Sequence, residues 1–190
     1  MAAGAPTFGQ GFLNFSWFGT GSQGIQIAQR CNPPSQLAGW YLSGDYSVQA
    51  WMAAGAGQAE GSLVPIAATK AVFIGGATTT AAGSPTTDGS GLWQGPVADT
   101  GLAMGAATIQ VRAWYDPNHN TTWDQALAGL RNAGKSLVYN ITLVGNTDPT
   151  INSLDTVGMA PFTVAFCPEP STFALAGLGA AALLMFRRRK

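Results

Sequence analysis

The chain has 190 residues and no net charge, and only 9% of its residues are charged, against a usual share of about 25%. That length holds one ordinary domain and a tail. So few cations, with no cluster in the body, exclude a nucleic-acid binder, which must neutralise phosphates with grouped Lys and Arg. Four of the nine basic residues are Arg187, Arg188, Arg189 and Lys190, so a mildly acidic body precedes a positive terminus, an asymmetry that points to a membrane or a targeting role.

In chain order, residues 1–10 lack the basic and apolar regions of a secretory leader. Ala3-Gly4-Ala5 does resemble the small-residue end of one, so this stretch is expected to be a leader remnant or a disordered start. Residues 11–166 are expected to form a mainly β, sandwich-like antiparallel domain with one packed helix. Candidate strands are Phe12–Trp17, Ile25–Gln29, Tyr46–Met52 and Leu63–Phe73. Pro65 restricts the last of these to a sheet edge or a strand start. Residues 74–108 are rich in Gly, Ala, Thr and Ser, with turn signals at Ser84-Pro85 and Asp88-Gly89, and read as loop with a weak strand at Leu92-Trp93.

Thr108–Trp114 carries the cleanest alternation, with Ile109, Val111 and Ala113 facing one way and Gln110, Arg112 and Trp114 the other. Trp123, Ala126, Leu127 and Leu130 then recur at helical spacing. Thr122 and Gln125 fit a capping box and Gly134 a C-terminal cap, predicting a helix over 122–133. Leu137–Val144 and Phe162–Phe166 complete the strands. Cys31 and Cys167 have no metal-type spacing; they could pair in an oxidising compartment, or stay separate thiols.

The tail, 167–190, has three parts in order. Pro168-Glu169-Pro170-Ser171 is held extended by its prolines. An uncharged run, Phe173–Phe186, follows and includes Phe173, Leu175, Leu178, Leu183, Leu184 and Phe186. As a helix it reaches roughly 21 Å, short of the ~30 Å hydrocarbon core. Snorkelling by Arg187–Lys190 and local bilayer thinning make up the difference, so a single short transmembrane helix is expected, with the cations on the cytoplasmic side. The body then lies across the membrane.

These three parts resemble the PEP-CTERM sorting domain, with Cys167 where such proteins often carry Val. The resemblance implies a Gram-negative bacterium and an exosortase, a membrane enzyme that cleaves at or near the Pro-Glu-Pro motif. It also implies transient anchoring in the lipid bilayer, then release to the cell surface or the exopolysaccharide matrix. An exported structural protein is the resulting expectation.

The body offers little for catalysis. A hydrolase triad needs a base, and the single histidine, His119, lies in a turn-rich run; no Gly-x-Ser-x-Gly elbow or P-loop lysine is present. No enzymatic activity and no cofactor are expected. Asp116, Asn118, Asn120 and Asp124 occupy positions 1, 3, 5 and 9 of a calcium-loop spacing, but Thr121 replaces the required Gly and Leu127 the bidentate Glu. A polar turn leading into a helix cap explains the same residues. Of six tryptophans, Trp114 is the candidate for an exposed sugar platform, which keeps a carbohydrate-binding module as a second reading. The third is a soluble domain whose last helix is core.

Overall fold

The computed structural model describes residues 9–17, 26–27, 42, 44–74, 91–129, 131–146, 154 and 158–164. The leader-like start, both cysteines, Trp40, the Ser84-Pro85 and Asp88-Gly89 turns and the whole tail from 165 onward lie outside them.

The architecture is mainly antiparallel β with one helix. Two long strands, β3 (Tyr46–Ala54) and β7 (Gly105–Tyr115), pair along the whole of β3, from Tyr46↔Tyr115 to Ala54↔Ala107. Around them, β1 is Gln10–Trp17, β2 Gln26–Ile27, β4 Val64–Pro65, β5 Ala71–Val72, β6 Trp93–Ala103, β8 Ala133–Lys135, β9 Tyr139–Leu143 and β10 Thr163–Val164. On the free side of β3 run β4 and β5; on that of β7 run β8 and β9. A separate ribbon pairs β1 with β6, and β10 pairs β2 in parallel, the one departure from the antiparallel expectation among the described strands.

Both outer rows of the larger sheet break at the same level, and a hydroxyl mends each gap. The Ala50 amide donates to Thr69 Oγ1 at 2.9 Å, and the Val111 amide donates to Ser136 Oγ at 3.0 Å. Ala50 and Val111 are register partners, so the interruptions face each other across the central pair. Each bond satisfies a buried amide that would otherwise lose its water without replacement.

Alternation along β3 and β7 sends two sets of side chains to opposite faces. Tyr46, Val48, Ala50 and Met52 join Ala107, Ile109, Val111 and Ala113, and all pack with Leu13, Phe15, Trp17 and Trp93 of the ribbon in one core. Within the ribbon the two strands approach closely: a Cβ on Gly95 of β6 would sit 2.1 Å from the Phe15 carbonyl oxygen of β1, so only glycine fits. On the other face Trp51, Leu63, Trp114, Trp123, Ala126 and Ala133 form a second cluster.

Four expectations need correction. The helix α1 spans only Trp123–Ala128 and is capped by Gly129, because the chain turns there to enter β8. Gly134 lies within β8, where a Cβ would meet the Thr163 carbonyl oxygen at 2.2 Å; it is glycine to admit the β10 backbone. The stretch expected as loop contains β6, eleven residues long, whose pairing with β1 overrides the breaking tendency of Gly95 and Pro96. The strand expected over Leu63–Phe73 is instead two short ones, β4 and β5, parted by a 3-10 turn at Ala67–Thr69, while Pro65 falls in β4 at a sheet edge, as its missing amide requires.

Candidate functional site

Three polar centres stand out among the described residues. The first is built on Asp116, fully buried where β7 ends. Its Oδ2 accepts from Ser47 Oγ at 2.8 Å and from Lys70 Nζ at 3.0 Å, and its Oδ1 accepts from the Thr121 amide at 2.9 Å. Burial acts to raise its pKa, but the Thr121, Lys70 and Ser47 hydrogen bonds outweigh it, so the carboxyl is held below its ordinary value of 3.8.

Lys70 Nζ also donates to the carbonyls of His119 at 3.0 Å and Thr121 at 3.3 Å. His119 adopts a left-handed backbone, φ 54°, in the turn that brings these carbonyls round. The ammonium therefore sits among the loop's inward oxygens. Of the calcium-type candidates, Asp116 is committed to these three donors, while Asn118, Asn120 and Asp124 are exposed. Among the described residues no three His, Cys, Asp or Glu side chains group as metal ligands.

The second centre is Arg112. Its guanidinium lies 4.6 Å from the Trp51 ring and 5.4 Å from the Trp123 ring, a cation–π contact with each of two rings that themselves meet edge-on at 6.0 Å. Gln110 Oε1 accepts from Arg112 Nε at 2.9 Å, and Glu60 lies 3.7 Å from the guanidinium. Glu60 also pairs with Lys135, whose hydrogen bond is the main reason its carboxyl is held below the usual range. Trp114, expected to be exposed, is only 1% exposed: its indole Nε1 donates to the Thr121 carbonyl at 3.0 Å and its ring meets Trp51 and Trp123 edge-on. All five described tryptophans are buried, so none of them offers a free ring for a sugar.

The third is a cleft of about 460 Å³ bordered by Glu60, Gln110 and Lys135 at a polar end and by Leu137, Pro161 and Phe162 on its apolar walls. It opens where the chain leaves the ladder at Ser136, and its far wall is the segment that becomes β10. The Tyr139 hydroxyl accepts from the Ala160 amide at 2.9 Å and ties the two walls together.

The domain thus uses its buried polar groups to hold its own loops, and its last described strand leads directly into the proline-bearing tail. Residues 167–190 match the family model for the PEP-CTERM protein-sorting motif. The chain therefore carries such a sorting signal, which implies export and processing by an exosortase. Neither a curated protein nor a solved structure matches the chain.

Pro168, Glu169, Pro170 and Ser171, the apolar run from Phe173 to Phe186 and the cations Arg187–Lys190 all fall inside the matched stretch and outside the described residues. Among the described residues no helix is long and apolar enough to cross a membrane. Lys70, Ser47 and Glu60 had no signal in the sequence: Lys70 lies 46 positions from Asp116, and Glu60 lies 75 from Lys135.

Proposed function

We propose that the chain is an exported, non-catalytic structural protein of the cell surface or the exopolysaccharide matrix, in which 11–166 is the delivered domain and 167–190 the delivery device. The match of 167–190 to the sorting motif carries this reading. Physical chemistry of the tail supports it. The apolar run enters the bilayer as a short helix, and Arg187, Arg188, Arg189 and Lys190 hold its end in the cytoplasm. Pro168 and Pro170 keep the motif extended, so an exosortase can reach the backbone between anchor and domain. Cleavage there frees the domain from the membrane. A body with few charges and a welded aromatic face suits a component that persists outside the cell.

The test is the intact mass of protein recovered from outside cells with and without the exosortase. The expected result is a chain shortened by the tail in the first case, and full-length membrane-bound chain in the second. Replacing Pro168, Glu169 and Pro170 together by alanine should reproduce the second pattern. Intact protein in the cytosol, with its tail helix packed on the domain, would overturn the proposal.

A further inference from the structure

A delivered domain has no need of the cleft beside β10, and its rim is costly for a surface. Leu137 is 72% exposed and Val138 38% exposed, and Leu137 is the most exposed large apolar side chain among the described residues. Both are thrown outward because Ser136 mends the ladder, with its hydroxyl and its amide both bonded to Val111. The same cleft has a polar end in the Glu60–Lys135 pair, so it offers apolar and charged contacts side by side.

Position supplies the occupant. β10 ends at Val164, and Pro168 follows four residues later. An extended chain covers at most about 3.6 Å per residue, so the five residues from Thr163, the last of the cleft wall, to Pro168 can span no more than about 18 Å. An enzyme holding Pro168–Ser171 in its own active site must lie against this end of the domain. We infer that the cleft, with Leu137 and Val138 on its rim, is a docking surface for the exosortase, a second contact beyond the Pro-Glu-Pro motif. The inference rests on the proposed function, and it makes sorting efficiency depend on the domain as well as on the tail.

The test is pulse–chase tail removal from the full chain in exosortase-bearing cells, for wild type, Leu137→Ser/Val138→Ser, and Pro168→Ala/Pro170→Ala. The serine pair should slow processing about tenfold, the size of effect expected from losing one central apolar contact, with the melting temperature unchanged. The proline variant should not be processed. If the serine pair is processed at the wild-type rate while the proline variant is blocked, docking is refuted and the sorting role stands. If the proline variant is processed normally, the sorting role fails and docking fails with it.

Full-length serine-pair protein is also bound to enzyme-free vesicles of phosphatidylethanolamine and phosphatidylglycerol. Unchanged binding is expected; weakened binding would assign the rim to lipid and overturn the inference. Should the serine pair lower the melting temperature, Leu137→Asn alone repeats the measurement at the more exposed site.

Discussion

The two faces of β7 are built from the same strand by different chemistry. Ala107, Ile109, Val111 and Ala113 meet the β1–β6 ribbon in a core made almost wholly of apolar contact. One residue out of phase, Thr108, Gln110, Arg112 and Trp114 each make a directed bond: to the Gly55 and Ser136 carbonyls, to Gln110 Oε1, and to the Thr121 carbonyl. The first face is held by area, which tolerates exchange of one aliphatic for another. The second is held by geometry, in which three rings, one guanidinium and one helix must all be present. Small domains need both: area supplies most of the stabilisation, and directed contacts select a single packing.

Removal of a ring should hurt the second face most. Trp114→Ala deletes edge-on contacts with Trp51 and Trp123 and takes the shorter of two hydrogen bonds from the Thr121 carbonyl, and is expected to cost about 4 kcal/mol. Val111→Ala, on the first face of the same strand, should cost only about 2 kcal/mol. Urea denaturation of the two variants measures the difference; equal losses would erase the distinction between the faces.

Next in size is Asp116→Ala, at about 3 kcal/mol, since a buried carboxylate and its partners lose one another while Lys70 remains partly solvated. The pH dependence has a fixed sign. Because the folded carboxyl titrates below its ordinary 3.8, its contribution is complete above that value and is lost as pH falls through the lower folded value. Wild-type stability should therefore drop on the acid side, and the Asp116→Ala curve should be flatter there. With Lys70 Nζ already among the loop oxygens, calcium and chelator should leave the wild-type melting temperature unchanged.

Arg112→Lys is a finer probe. Lysine keeps the charge near Glu60 but cannot lay a planar group against the two indoles. A loss of about 1 kcal/mol is expected, insensitive to salt because the contact is with rings. A loss that disappears in high salt would instead assign the role of Arg112 to Glu60.

The features legible in the sequence were those written locally. Alternation on Tyr46–Met52 and Thr108–Trp114 gave the two central strands and their buried sides, and Thr122 with Gln125 gave the start of the helix. The tail was legible for the same reason: a sorting signal is recognised as a linear chain, so its order of residues is its meaning. What escaped depends on distant partners. β6 contains Gly95, Pro96 and Gly101, and is a strand only because β1 lies beside it. Gly134 resembled a helix cap until β10 was seen to cross it. Trp114 alternates to the side away from the core, and nothing nearby announces that a helix and two more tryptophans bury it there. The Lys70–Asp116 pair was invisible for the same reason.

The smallest expected effect tests how that second face is closed. A helix of six residues cannot sustain itself, because nucleation costs more than so few bonds return. Two attachments hold it: the Trp123 ring in the aromatic cluster, and the capping box. In the box the Thr122 amide donates to Gln125 Oε1 at 2.9 Å and the Gln125 amide to Thr122 Oγ1 at 3.3 Å. The second bond is long and exposed, so Thr122→Ala should cost about 1 kcal/mol, near the middle of the range for lost caps, and Thr122→Ser almost nothing. Both are read from tryptophan fluorescence in urea. A cost near zero for Thr122→Ala would mean that the rings alone seat the helix; a cost approaching that of Trp114→Ala would mean that the cap positions Trp123, and that the aromatic cluster depends on the backbone it covers.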